Sequence, residues 1–167
     1  AREIAASTGA FDMSTMKEPY RLEGKKTLGY EIAEQFNWEL PDIIVYPAGG
    51  GTGLIGIWKA FKELITMNSI KGPLPKMVLV QSVECSPMVH LFNNGQLPEN
   101  YTPKSSAALG LAVPYPFATA MMLDVLRESN GIALTVSEKE MEDGVEEIAK
   151  IEGLLLSPEG AATFRAT

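Results

Sequence analysis

The chain has 167 residues, 46% of them hydrophobic and 21% charged, with a formal net charge of −7. This is ordinary globular composition, enough for one domain with a substantial core. The acidic balance and the lack of a long Lys/Arg cluster argue against nucleic acid as a partner. No apolar run approaches the ~20 residues that span a bilayer, so no membrane partner is expected either.

The chain opens on AREIAAS, which reads as a helix already under way, and closes on SPEGAATFRAT, where another begins. Both ends read as cuts, so residues 1–167 are expected to be one partial domain of a longer polypeptide. A helix is predicted from Thr27 to Phe36, burying Leu28, Ile32 and Phe36. The β-branched run DIIVY (Asp42 to Tyr46) predicts a short strand. Residues 51–67 then carry helical periodicity through Leu54, Ile57, Trp58, Phe61, Leu64 and Ile65. After the breaker-rich KGPLP, KMVLVQSV (Lys76 to Val83) predicts a second strand, and VECSPMVHLF reads as strand end followed by amphipathic helix. Residues 95–116 form a long loop rich in Pro, Ser and Gly, a length that often carries function. Phe117 to Glu128 predicts a helix with Met121, Met122, Val125 and Leu126 in the core, and GIALTV (Gly131 to Val136) a third strand.

The helix after that strand is signalled most fully. Ser137 and Glu140 make an S-x-x-E capping box, Met141, Val145 and Ile148 line one face, and Gly153 suits the left-handed stop. Its acidic residues (Glu138, Glu140, Glu142, Asp143, Glu146, Glu147) read as a solvated face beginning favourably at the helix dipole. They do not converge as metal ligands, and no metal is expected. Strand–helix alternation with near-continuously apolar strands gives an α/β fold class: a three-layer parallel sheet with helices on both faces.

The chemistry concentrates in PAGGGTGLIGIW, residues 47–58. A glycine-rich turn from a strand end into a helix start is suited to an anion, because free N–H groups and the positive helix end point into it. A P-loop is excluded, since no glycine here precedes a lysine. Gly51, Gly53 and Gly56 match G-x-G-x-x-G, but Glu84 lies well beyond the ~20 residues at which that fingerprint places its ribose-binding acid. Two readings stay open on the loop alone: a cup for one monophosphate, with Thr52 adding a hydroxyl, or a plain connector with tight packing at Gly56. Cys85 and His90 lie close in sequence, but nothing orients the imidazole, and both read as ordinary packing. The lone cysteine rules out an internal disulfide framework and fits a reducing cytoplasm.

Four segments in order carry a wider resemblance: KEPYRLEGKKTLGYEIAEQ, PAGGGTGLIGIWKAF, SAALGLAVP and EGLLLSPEGAA. Together they resemble the threonine synthase family, pyridoxal 5′-phosphate enzymes of the group (fold type II) that also contains tryptophan synthase β, threonine deaminase and cysteine synthase. The resemblance covers nearly the whole chain and implies its large domain. It implies that Gly49, Gly50, Gly51, Thr52 and Gly53 cradle the cofactor's 5′-phosphate, and that the SAALGLAVP loop passes the pyridine ring, with Gly110 allowing close approach. It places the SPEGAA turn, with Glu159 and Gly160, beside the site. Lys25, Lys26 and Thr27 read as solvent charges and a helix N-cap. Glu84 could hold a structural cation, as in some relatives.

The resemblance also implies what is missing. The lysine that forms the Schiff base belongs to a motif upstream of these segments, and the hydroxyl that meets the pyridine nitrogen belongs beyond them. No catalytic residue is therefore expected in this chain, which should contact only the cofactor's phosphate group and be inert alone. The intact family enzyme, a carbon–oxygen lyase, converts O-phospho-L-homoserine and water to L-threonine and phosphate, so the expected partners are the cofactor and a phosphorylated amino acid. An ammonia-lyase of the same group and a nucleotide-binding module are the alternatives. Unpaired strand edges would favour a homo-oligomer.

Overall fold

Three short runs of β-branched and aliphatic residues pair side by side. β1 (Ile43–Pro47), β2 (Lys76–Ser82) and β3 (Ile132–Val136) form a parallel sheet in the order β1-β2-β3. Val45 lies opposite Val78, and Val80 opposite Leu134. The computed structural model describes residues 2–167, the side chain of Arg2 apart; Ala1, the first residue of the expected opening helix, lies outside them. The helices are α1 (Arg2–Thr8), α2 (Tyr20–Gln35), α3 (Thr52–Thr66), α4 (Pro87–Asn94), α5 (Thr119–Glu128), α6 (Glu138–Glu152) and α7 (Pro158–Arg165).

Alternation along β2 divides the molecule into two cores. Met77 and Leu79 face a cluster built with Leu54, Ile57 and Phe61 of α3 and Met122, Val125 and Leu126 of α5. Val78 and Val80 face a second cluster with Met141 of α6, Ala162 of α7, and Ala108 and Leu111 from the long loop. The expected three-layer arrangement is therefore present, with helices on both faces. Only β2 is buried along nearly its whole length, however; β1 and β3 are partly exposed because each has a strand on one side only. Among the described residues, no helix is long and apolar enough to cross a membrane.

Three expectations about helices need correction. α2 begins at Tyr20, not Thr27. Pro19 at its N-cap position sets the start, and Thr27 is an interior residue whose hydroxyl donates to the Gly24 carbonyl at 3.0 Å. Its buried face is Leu22, Gly29 and Ala33, and Phe36 is 53% exposed at the helix end. In α5, Met122, Val125 and Leu126 are buried but Met121 is 41% exposed, one step around the helix from its core face. The capping box of α6 is formed as expected, with both Ser137 and Glu140 engaged and Gly153 left-handed at φ 67°.

α2 lies on α3 along a seam of small residues. A Cβ on Gly29 would stand 2.6 Å from the Ala60 Cβ, and one on Gly56 2.9 Å from the Lys25 backbone carbon. Gly56 is thus a packing residue, as one reading of the loop required. Charges flank the seam: Lys26 bonds Glu23 at 2.7 Å and Glu63 at 2.9 Å, Lys59 pairs with Glu23, and the Tyr30 hydroxyl donates to Glu63. Lys26 is therefore a paired, half-buried charge, whereas Lys25 is exposed as expected.

Two alanine substitutions within α2 should have opposite signs. Gly29→Ala forces the helices apart and should destabilise by about 1–3 kcal/mol. Gly24→Ala meets nothing within 4 Å and should stabilise by up to about 1 kcal/mol through helix propensity. Urea unfolding midpoints of the two variants against the parent chain measure both effects, and equal shifts would show that the seam is not close-packed.

Candidate functional site

At the end of β1 the ladder continues for one more residue, with the Ala48 N–H donating to the Val80 carbonyl at 3.0 Å. The chain then turns through Gly49, Gly50 and Gly51 into α3, with Gly51 at φ 84° as N-cap. A left-handed cap strongly favours glycine. Among the described residues, no acceptor receives the N–H groups of Gly49, Gly50, Gly51, Thr52, Gly53 or Leu54, and the Thr52 hydroxyl has no partner. Some of these donors are the free first-turn amides of any helix. The glycine turn extends the row, so that unpaired donors run from the strand end into the first turn of α3.

The surroundings of the glycines differ. A Cβ on Gly49 would strike the Gly110 carbonyl oxygen, one on Gly51 the Met122 thioether, and one on Gly53 the Tyr46 hydroxyl. Gly50 differs: its nearest neighbour would be the Thr15 methyl at 3.9 Å. Burial of Tyr46 pushes its phenol pKa upward, so it stays neutral beside the helix start. Thr15 in turn accepts a bond from Arg21 at 2.9 Å, and Arg21 also donates to the Met13 carbonyl at 3.0 Å. A guanidinium is thereby tied to the segment beside the turn.

All five expected residues of the glycine loop thus stand together at the carboxyl end of β1, and Gly110 is brought against Gly49 from the long loop. Two carboxylates hold that loop. Glu159, in the first turn of α7, accepts the Gly110 N–H at 2.9 Å. Glu138, at the start of α6, accepts from the Ser82 hydroxyl at 2.6 Å, the Ser106 hydroxyl at 2.7 Å and the Ala107 N–H at 2.8 Å. Reading Glu138 as part of a solvated face was incorrect; it is half-buried and fully engaged. Burial alone would raise its pKa, but the bonds from Ser82, Ala107 and Ser106 outweigh burial and hold it below the ordinary 4.5. Glu159 is likewise lowered, burial being overcome chiefly by the Gly110 bond. The stability these carboxylates confer is thus complete above the ordinary carboxylate range and lost as pH falls through their lowered values.

Gln81 is a further residue of the site that the sequence pattern does not single out. It is fully buried, donates from Nε2 to the Ala48 carbonyl at 2.9 Å and accepts the Met88 N–H at 2.9 Å. It ties the entrance of the glycine turn to the start of α4. Its polarity inside the run KMVLVQSV was the available signal, because a polar side chain on a buried strand needs internal partners.

Other candidates resolve as packing. Cys85 is fully buried, and burial pushes its thiol pKa up, the opposite of an activated nucleophile. His90 meets the Tyr101 ring edge-on at 5.5 Å. Glu84 pairs with Lys104 at 3.0 Å, and the described residues contain no cluster of three or more His, Cys, Asp or Glu placed to hold a metal. None of the described lysines is buried. A groove of about 410 Å³ between α3 and α5, lined by Trp58, Lys62, Met121 and Glu128 among others, runs along the flank of α3 and does not include the glycine turn.

The glycines should separate by neighbour. Gly49→Ala, opposed by a backbone carbonyl, should cost roughly 3 kcal/mol, and Gly51→Ala roughly 1–2 kcal/mol from the left-handed strain alone. Gly50→Ala should stay within about 0.5 kcal/mol. Chemical unfolding of the three variants checks the order, and a Gly50 variant as damaged as Gly49 would contradict the geometry.

Comparison with known proteins agrees with this architecture. A family model described as pyridoxal-phosphate dependent enzyme matches residues 1–167. Threonine synthase of Methanosarcina acetivorans is 34% identical over 148 residues, and that of Methanocaldococcus jannaschii 32% over 149; each alignment covers 87% of this chain and 36% of the relative. The chain therefore spans about a third of the length of these relatives. Among solved structures, the processed form of threonine deaminase isoform 2 from Solanum lycopersicum superimposes with a TM-score of 0.72 at 21% identity, over 99% of this chain and 45% of that one. Maize serine racemase does so with 0.75 at 19% identity, over 99% and 48%. At such identities the structures establish a shared fold, while the family model spans every residue: the chain belongs to the family of pyridoxal-phosphate dependent enzymes.

Proposed function

We propose that this chain is the phosphate-holding part of the large domain of a threonine synthase, a single partial domain over residues 1–167. The observation that carries the reading is the run of unpaired amides from Gly49 to Leu54. Backbone N–H groups at Gly49, Gly50, Gly51 and Gly53, with the Thr52 amide and hydroxyl, match the oxygens of a single phosphate ester and need no lysine. The positive end of α3 adds to the attraction. The position fits the general rule that ligands of open parallel sheets bind outside the carboxyl ends of the strands.

When bound, pyridoxal 5′-phosphate supplies an electron sink that stabilises carbanions on an amino-acid substrate. The residues of this chain bind and orient. The glycine turn fixes the phosphate end, and Gly110, pressed on Gly49, supplies a wall without a side chain. Glu138 and Glu159 fix that wall, and Tyr46 and Met122 fill the space behind the glycines. The parent enzyme, in this reading, acts in the cytoplasm on O-phospho-L-homoserine and water to give L-threonine and phosphate. The reactive lysine lies outside these residues, so the chain alone contacts only the cofactor's phosphate and does not turn over substrate.

Amide spectra of the chain titrated with inorganic phosphate and then with pyridoxal 5′-phosphate test this directly. Saturable shifts confined to Gly49–Gly53 and their neighbours are expected, with no single lysine fixed by borohydride. If these amides stay still while NAD⁺ quenches tryptophan fluorescence, the turn is a dinucleotide site; if neither ligand acts, it is a connector.

A further inference from the structure

The segment from Ser106 to Val113 has neither helix nor strand, yet it forms the outer side of the glycine turn. Ala108 and Leu111 are buried beneath it in the second core, while Leu109 is 76% exposed. Apolar burial seats the segment but does not fix where its upper edge stands. That edge is held by hydrogen bonds to two carboxylates from two different helices. Neither is required as a helix cap: the Ser137 hydroxyl already accepts from Glu140 N–H, and the Ser157 hydroxyl from Gly160 N–H, each at 3.3 Å.

We propose that Glu138 and Glu159 are positioning residues that lock the Ser106–Val113 segment as the wall of the glycine turn, Glu138 anchoring its start and Glu159 setting the Gly110 peptide that bears on Gly49. The role in ligand binding rests on the phosphate reading above; the role in placing Gly110 does not. The two carboxylates differ in what they demand. Glu138 accepts from three donors at once through both of its oxygens, and a carboxamide, with one acceptor oxygen, would leave at least one of them without its acceptor. Glu159 accepts one N–H from the segment, a bond that a glutamine oxygen can keep, though without the carboxylate's charge. A conservative exchange should therefore succeed at 159 and fail at 138.

The test uses the whole chain with amide spectra and inorganic phosphate as the probe. Glu159→Ala should displace the Gly49 and Gly110 amide resonances and weaken phosphate binding about fivefold or more, the lower end of usual coupling between linked sites. Glu159→Gln should restore both, and Glu138→Gln should behave like Glu159→Ala. If Glu159→Gln and Glu159→Ala behave alike, or neither moves the Gly49 resonance, the proposal is wrong. Failure of phosphate to bind the unaltered chain would instead count against the phosphate reading, and the ligand-free Gly49 and Gly110 resonances would still decide the clamp. Should Glu138→Gln not fold, the pair at 159 decides alone.

Discussion

From the end of β1 into the first turn of α3, a Cβ at three of the four glycines would meet an atom already in place. The Gly110 carbonyl, the Met122 thioether and the Tyr46 hydroxyl occupy the places where the Cβ atoms at Gly49, Gly51 and Gly53 would go. This single constraint sets much else. It draws the backbone of the turn in against its neighbours, so that Gly49, Gly51 and Gly53 are buried while Gly50 and Thr52 stay partly exposed, and among the described residues their amides have no partner. It lets α5 and the long loop close in from two directions. It also fixes where α3 begins, and with it the small-residue seam that receives α2.

The site is assembled from parts far apart in sequence, and the sheet is what brings them together. Because the strands are parallel, the carboxyl ends of β1, β2 and β3 lie at one edge. The glycine turn leaves from the first, Ser82 ends the second, and Glu138 follows the third. One core supports the turn through α3 and α5. The other supports the opposing wall through α6 and α7. β2, shared by both, couples them, and Gln81 extends that coupling to α4.

Much of this was legible in the residues. The β-branched runs gave the strands, the capping box gave α6, and the match of four ordered segments pointed to pyridoxal 5′-phosphate enzymes, the family whose model spans the chain. What escaped was whatever depends on distant partners. Glu138 looks like its acidic neighbours on α6, and only Ser82 and Ser106, remote in the chain, set it apart. The first two turns of α2 are masked in the sequence by Gly24 and the adjacent charges, although Pro19 marks the entry. Periodicity places Met121 in the core with Met122 because it identifies a face better than its edge. No local pattern could show that Gly110 would stand against Gly49.

A turn lined with peptide N–H groups has a property that lysine, histidine and carboxylate side chains lack: it neither titrates nor carries net charge. An arginine or lysine pocket binds by net charge and weakens as salt screens it; the amides of Gly49 to Leu54 are neutral donors at every ordinary pH. For an anion held as proposed above, the charge state of these donors is constant across the physiological range. Proton dependence would then enter from the guest's own ionisation, or in acid from the carboxylates that hold the wall. In a turn of this kind the donors themselves add no pH dependence of their own.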